Sequence, residues 1–214
     1  ELHDKAFGVT APLVTKADGG KFGKTESGAV WLSAPRTTPY AMYQFWLNAN
    51  DDDVIRFLKL FTLTSKERVE ELEAAHRTNP GAREAHRALA HDATTLVHGE
   101  AEAIAAANAA RALFSGDVRA LPAHLVTEVF ADVPASEHAK ASLEGPGVDL
   151  VDCLVETGLA TSKRQAREFV QNGSVSINGD KAEEGRTLTS DDLLHGSVIA
   201  IRRGKKNWHL TKWA

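Results

Sequence analysis

At 214 residues, with 43% hydrophobic and 25% charged residues, the chain has the composition of an ordinary soluble protein of one large or two to three small domains. A net charge of -4 would argue against nucleic acid if it were spread evenly, but from Gly147 onward ten Lys or Arg face nine Asp or Glu, leaving fifteen against twenty before it. The only cysteine, Cys153, excludes a disulfide framework and fits a reducing compartment; the absence of a run of roughly eighteen apolar residues excludes a membrane-spanning helix, so a cytoplasmic protein is expected.

The first segment, residues 1–37, is rich in Gly, Thr and β-formers. Gly8 to Thr15 reads as a short strand, the glycine-rich stretch after it as a loop, and Ala29-Val30-Trp31-Leu32 as a second extended piece. The chain does not begin with Met and already looks structured at Phe7 to Val14, so a piece of a longer polypeptide is expected.

From Thr38 the pattern turns helical, with Thr38 as N-cap and Pro39 in the first turn. Asp51 to Asp53 open a second helix, Ser65 caps a third, Asn79-Pro80-Gly81 breaks the chain, and Gly99 ends the helix that follows. Val54, Phe57, Leu58 and Phe61 fall at i, i+3, i+4 and i+7, one face of a helix. The Ala-rich run Ala101 to Leu113 permits close packing, so residues 38–116 read as a helical bundle. Residues 117–146 hold a helix after Pro122 and then a polar, turn-prone linker.

The tail, residues 147–214, reads differently. A helix from Asp149 to Glu156 stops at Gly158, a second runs from Lys163 to Gln171, and Val175 to Gly179 is a strand entering a hairpin-type turn. The expected fold class is therefore α+β: an extended segment, a helical bundle and a small α+β domain. Cys153, among Leu150, Val151 and Leu154, reads as a buried core thiol. His86, His91 and His98 read as polar helix residues, and no zinc set or other metal centre is expected. The four tryptophans read as packing residues, with Trp208, flanked by basic residues, as the exception to test.

Two stretches carry chemistry. In the second tail helix Ser162 is the cap, Lys163, Arg164 and Arg167 are the cations, and Ala166, Phe169 and Val170 fall on another face. Such a helix is either an ordinary solvated one or a phosphate-facing surface. Arg202, Arg203, Lys205, Lys206 and Asn207 surround Gly204 between two strand-like pieces, a charged tip suited to a phosphate backbone. The other stretch, Gly19 to Thr25, carries Lys21, Gly23, Lys24 and Thr25. Ammonium groups, a close-approaching backbone and a hydroxyl suit phosphate, but composition alone favours a solvated turn, and a Walker A loop is excluded because Asp18 stands where its first glycine belongs.

The order of helix, Thr-Ser-Lys-Arg-Gln-Ala-Arg helix, Asn-Gly hairpin and terminal strands resembles the RNA-binding domain first known from a ribosomal small-subunit protein. Lys21-Phe22-Gly23-Lys24-Thr25 with its flanks, Tyr43 to Asn48, Leu96 to Glu100 and Arg202 to Asn207 resemble class I bacterial tyrosyl-tRNA synthetases over nearly the entire chain. The resemblance implies that Lys21, Lys24 and Thr25 stabilise the departing pyrophosphate during tyrosine activation and that Lys21, Gly23, Lys24 and Thr25 bind ATP, with Mg expected beside it as a substrate ion and no tightly bound cofactor. It further implies that residues 38–116 face the anticodon side of tRNA(Tyr), and that the tail holds the long variable arm through Ser162, Lys163, Arg164, Arg167, Arg202, Arg203, Lys205, Lys206 and Asn207. The full-length family members are expected to be homodimers. Their His-x-Gly-His signature occurs nowhere in this sequence, so the chain is expected to be inactive alone. The competing reading is a non-catalytic RNA-binding protein that shares only the tail domain.

Overall fold

The computed structural model describes residues 7–10, 13–17, 19–20, 22 and 29–214. Lys21, Gly23, Lys24 and Thr25 of the expected phosphate loop lie outside the described residues. The chain forms two compact units, residues 1–104 and 105–214.

In the first unit, α1 (Pro39–Leu47) starts where Thr38 Oγ1 accepts from Ala41 N–H at 3.1 Å and Pro39 supplies a first-turn residue that needs no donor. Asp51, Asp52 and Asp53 place negative charge on the positive end of α2 (Asp51–Phe61). Ser65 caps α3 (Lys66–Thr78) by accepting from Arg68 N–H. The Asn79-Pro80-Gly81 break is a 3-10 turn that ends on Arg83 at φ 52°, and α4 (Glu84–His98) follows, stopped by Gly99 at φ 92°. Helix α4 packs on α1, α2 and α3. It buries Ala85, His86, Leu89 and Ala90, facing Met42, Leu58 and Leu72. Each of these leucines contributes roughly 1.5–3 kcal/mol by leaving water.

Among the described residues of the strand expected at Gly8–Thr15, 8–10 and 13–14 are irregular and Thr15 makes a single bridge, while Ala11 and Pro12 lie outside the described residues. Residues 29–32 form no strand either. Extended chain is stable only when a neighbour takes up its backbone hydrogen bonds, and Phe7 and Val9 are 89% and 99% exposed. Phe22, by contrast, is held among aromatic rings, 4.8 Å from the Phe61 centroid and 5.7 Å from that of Trp46. Trp31 departs from the packing reading: it is 48% exposed, with the Arg36 guanidinium 4.2 Å over its ring.

Helix α5 (Glu100–Ser115) runs from the first unit into the second. The second unit continues with α6 (Ala123–Val129), β1 (Ala135–His138), β2 (Val148–Asp149), α7 (Leu150–Glu156), α8 (Lys163–Gln171), β3 (Val175–Ile177), β4 (Asp180–Lys181), β5 (Thr187–Leu188), β6 (Val198–Arg203) and β7 (Asn207–Trp213). Strand order in the main sheet is β1-β7-β6-β3-β4, with β1 parallel to β7 and the other pairs antiparallel; β2 and β5 form a small antiparallel pair. Helices α7 and α8 cover the sheet, burying Leu150, Leu154, Ala166 and Val170 with Ile177, Ile199 and Ile201. Cys153 belongs to this core, and burial pushes its thiol up to about 12.

One stretch read as linker is part of the sheet. Residues 135–138 form the edge strand β1, in register Ala135 with Leu210 through His138 with Trp213, and Leu143 after it is buried. Sequence-local signals miss it because its partner strand lies over seventy residues away.

The β3–β4 hairpin turns through Asn178 at φ 51° and Gly179 at φ 100°. Asn178 is fully buried; its Nδ2 donates to Asp192 C=O at 2.6 Å and its Oδ1 accepts from Ala200 N–H at 2.9 Å. A Cβ on Gly179 would strike the Gly116 carbonyl oxygen, so only glycine fits there.

Candidate nucleic-acid interface

Helix α8 is built by its cap. Ser162 Oγ accepts from Gln165 N–H at 3.2 Å, and Gln165 Oε1 reaches back to Thr161 N–H at 2.8 Å, so the exposed N-terminus is closed on both sides. Ala166 and Val170 anchor the inner face, which leaves Lys163, Arg164 and Arg167 exposed on the outer one.

The three cations are not equivalent. Lys163 Nζ lies 2.6 Å from Asp152 Oδ1 of α7, an exposed pair worth about 0–1 kcal/mol that a phosphate can displace. Arg167 borders a cavity of about 220 Å3 whose rim also carries Asp149, Glu183 and Glu184, so its charge is partly opposed. Arg164 is exposed near the helix start.

The β6–β7 hairpin supplies the second set. Gly204, at φ 65°, opens the turn, and its N–H donates to Ser174 C=O at 2.7 Å; Ser174 N–H in turn donates to Phe169 C=O at 2.9 Å. The hairpin tip is thereby tied to the C-terminal end of α8. Arg203 strengthens the link, its guanidinium 5.0 Å from the Phe169 ring centroid. Lys205, Lys206 and Asn207 are exposed at the tip.

Arg202 stands apart. Neighbouring strand residues point to opposite sheet faces, so Arg202 faces away from α8. Its guanidinium lies 5.0 Å from the Trp208 centroid, its Nε donates to Ser176 Oγ at 3.3 Å, and it packs so closely on Gly116 that a Cβ there would clash. Trp208, 8% exposed and edge-on to Phe130 at 5.3 Å, is a packing residue under Arg202 rather than an open stacking platform. The structure thus carries Lys163, Arg164, Arg167, Arg203, Lys205, Lys206 and Asn207 on α8 and the hairpin docked to it, with Ser162 as the cap of α8, and turns Arg202 to the other face. The roles of Phe169 and Ser174 in docking the hairpin were not read from the sequence, although the two-residue alternation of a strand already separates Arg202 from Arg203.

Residues 2–115 match the family described as tRNA synthetases class I (W and Y), and residues 126–211 match the tyrosine–tRNA ligase SYY-like C-terminal domain. The chain belongs to the class I tyrosyl-tRNA synthetase family. It is 50% identical over 211 residues to a tyrosine–tRNA ligase of Bacillus caldotenax and 49% identical over 211 residues to that of Geobacillus stearothermophilus, covering in each case 98% of this chain and 49% of the relative. The tyrosine–tRNA ligase of Roseiflexus castenholzii is 46% identical over 209 residues, 97% of this chain and 49% of its own length. The chain therefore spans about half the length of the curated family members it matches. Among the described residues no helix is long and apolar enough to cross a membrane.

Proposed function

We propose that this chain is the tRNA-binding half of a cytoplasmic tyrosine–tRNA ligase, which activates tyrosine with ATP and transfers it to tRNA(Tyr). The observation that supports the reading is the docking of the β6–β7 hairpin on the C-terminal end of α8, which ties the element carrying Arg203, Lys205 and Lys206 to the helix carrying Lys163, Arg164 and Arg167, in a region that matches the tyrosine–tRNA ligase C-terminal domain. Cations fixed on two rigid elements match a curved phosphate backbone by shape, the way folded RNA is recognised.

In this reading residues 147–214 are an RNA-binding domain of the ribosomal-protein type that grips the long variable arm, and the helices of residues 38–116 contact the anticodon side. Lys21, Lys24 and Thr25 stabilise charge on pyrophosphate as it leaves, and Gly23 lets the backbone approach the ATP phosphates, with Mg accompanying the nucleotide. Residues 1–37 form the end of the catalytic domain, and tyrosine and the dimer contact belong to the full-length enzyme. The family match over residues 2–115 weighs against a binding protein that shares only the tail.

Filter binding of this chain to a tRNA with a long variable arm and to one without tests the reading. Tighter, salt-sensitive binding to the first is expected; equal affinity for both at every salt concentration would sink it.

A further inference from the structure

The second unit holds an open cavity of about 220 Å3 beside α8. Its floor is apolar, with Leu150 and Val170 buried and Val151 half-buried, and its rim carries Arg167 of α8 and Glu183 and Glu184 of the loop between β4 and β5. Two other charged residues at the cavity are committed elsewhere. Asp149 caps α7 by accepting from Asp152 N–H at 3.1 Å, and Arg186 donates to Thr187 C=O and pairs with Asp192. By contrast, Arg167, Glu183 and Glu184 make no side-chain hydrogen bond or ion pair with any described residue, although they border the same hollow.

Each of these exposed charges alone reads as a solvated side chain. Together they place a cation and two carboxylates around one apolar floor without closing on each other. Arg167 also stands one helical turn from Lys163 and Arg164, so the hollow borders the helix proposed to face RNA. Carboxylates repel phosphate, so the RNA backbone is not its occupant. A nucleobase is neutral, with apolar faces and polar edges, and a cavity of this size suits a single base better than a larger ligand. Guanine alone of the four bases offers two adjacent donors, N1–H and N2–H, to one carboxylate, and two acceptors, O6 and N7, to one guanidinium. Adenine and cytosine set an amino group beside an acceptor nitrogen, and uracil flanks its N–H with carbonyls; each would turn a lone pair toward the carboxylate.

We propose that this cavity receives an unpaired guanine of the bound RNA, its face on Leu150, Val151 and Val170, its N1–H and N2–H edge toward Glu183 and Glu184, and its O6 and N7 toward Arg167. The inference rests on the RNA-binding reading of this domain and adds a base-specific contact to the phosphate contacts proposed above. Unpaired bases are the part of a folded RNA that proteins read by sequence, and a base already outside a helix enters a pocket without the cost of breaking a pair.

Titration of the isotope-labelled 214-residue chain with the four nucleosides, read by amide NMR shifts, tests the pocket without phosphates. Guanosine should shift Arg167, Glu183, Glu184 and Gly185 saturably, and adenosine, cytidine and uridine should each bind at least about fivefold more weakly. Replacing both glutamates, Glu183→Gln with Glu184→Gln, should abolish the shifts; neither side chain has a partner in the fold, so the folded state should be kept. In anisotropy titrations the same double variant should bind a tRNA with a long variable arm at least about fivefold more weakly, although removing two negative charges beside a polyanion would by itself tighten binding. Equal binding of all four nucleosides, no guanosine shift at those amides, or equal or tighter tRNA binding by the double variant would each overturn the proposal. The preference for a long variable arm and its salt dependence are read separately, so the pocket can fail while the tRNA reading stands.

Discussion

Individual side chains on the β1–β7 edge are set by burial. His209 is buried, its Nε2 2.9 Å from Ser136 Oγ, which also contacts His138 Nε2 at 2.7 Å. Burial first, and the neighbouring His138 second, hold His209 below the ordinary histidine value of 6.5. The unfolded chain therefore binds a proton more readily than the folded one. Stability is full above the unfolded value, begins to fall as pH drops through about 6.5, and stops falling once the folded-state value is passed, with a slope of at most about 1.4 kcal/mol per pH unit. His86 acts in the same sense in the first unit, where burial and then Arg83 lower it. Urea unfolding at pH 7.5 and 5.5 should show the loss, and His209→Gln should shrink the difference between the two pH values; an unchanged difference would remove His209 from the account.

Elements whose signals are local were legible in the sequence. Thr38, Ser65 and Ser162 mark helix starts because a side-chain oxygen answers backbone N–H groups within the next turn, and Asn178-Gly179 marks its hairpin because both residues tolerate positive φ. What was hidden depends on distant partners. The polar stretch Ala135–His138 becomes strand only because β7 offers it an edge. Likewise, Arg167 meets Glu183 and Glu184 around one cavity only once α8 and the β4–β5 loop have packed. The face taken by Arg202 needed the register of β6, and the N-terminal β-formers had no described strand to pair with. A shortened chain beginning at Gly147 would lack β1, open the β7 edge and remove Leu143 from the core; loss of a buried leucine alone costs about 2–5 kcal/mol. It should unfold at lower urea and tend to associate through the bare edge, whereas one beginning at Ala105, where the second unit starts, should keep its midpoint. Equal midpoints for the two would show that β1 is dispensable.

For the molecule as a whole, a net charge of -4 means that the proposed attraction to RNA rests on placement rather than bulk charge. The geometry separates cations that can reach a phosphate from those already committed. Arg164, Lys205 and Lys206 are exposed, and Lys163 gives up only an exposed pair with Asp152; Arg202 is held by Trp208, Ser176 and Gly116. Each phosphate contact contributes about 0.7–0.9 to the slope of log affinity against log salt. Replacing both Lys205 and Lys206 with Ala should therefore weaken tRNA binding and reduce the magnitude of that slope by roughly 1.4–1.8, with little change in stability. Arg202→Ala should do the reverse: it strips the Trp208 ring and leaves Ser176 without its donor, so the urea midpoint falls, while the salt slope of the protein that remains folded is unchanged. Fluorescence-anisotropy titrations across a salt series, run beside urea melts of the same variants, read both quantities. If Arg202→Ala lowered the slope as much as one lysine does, Arg202 would itself contact a phosphate, and the division of the basic residues into two faces with two roles would fail.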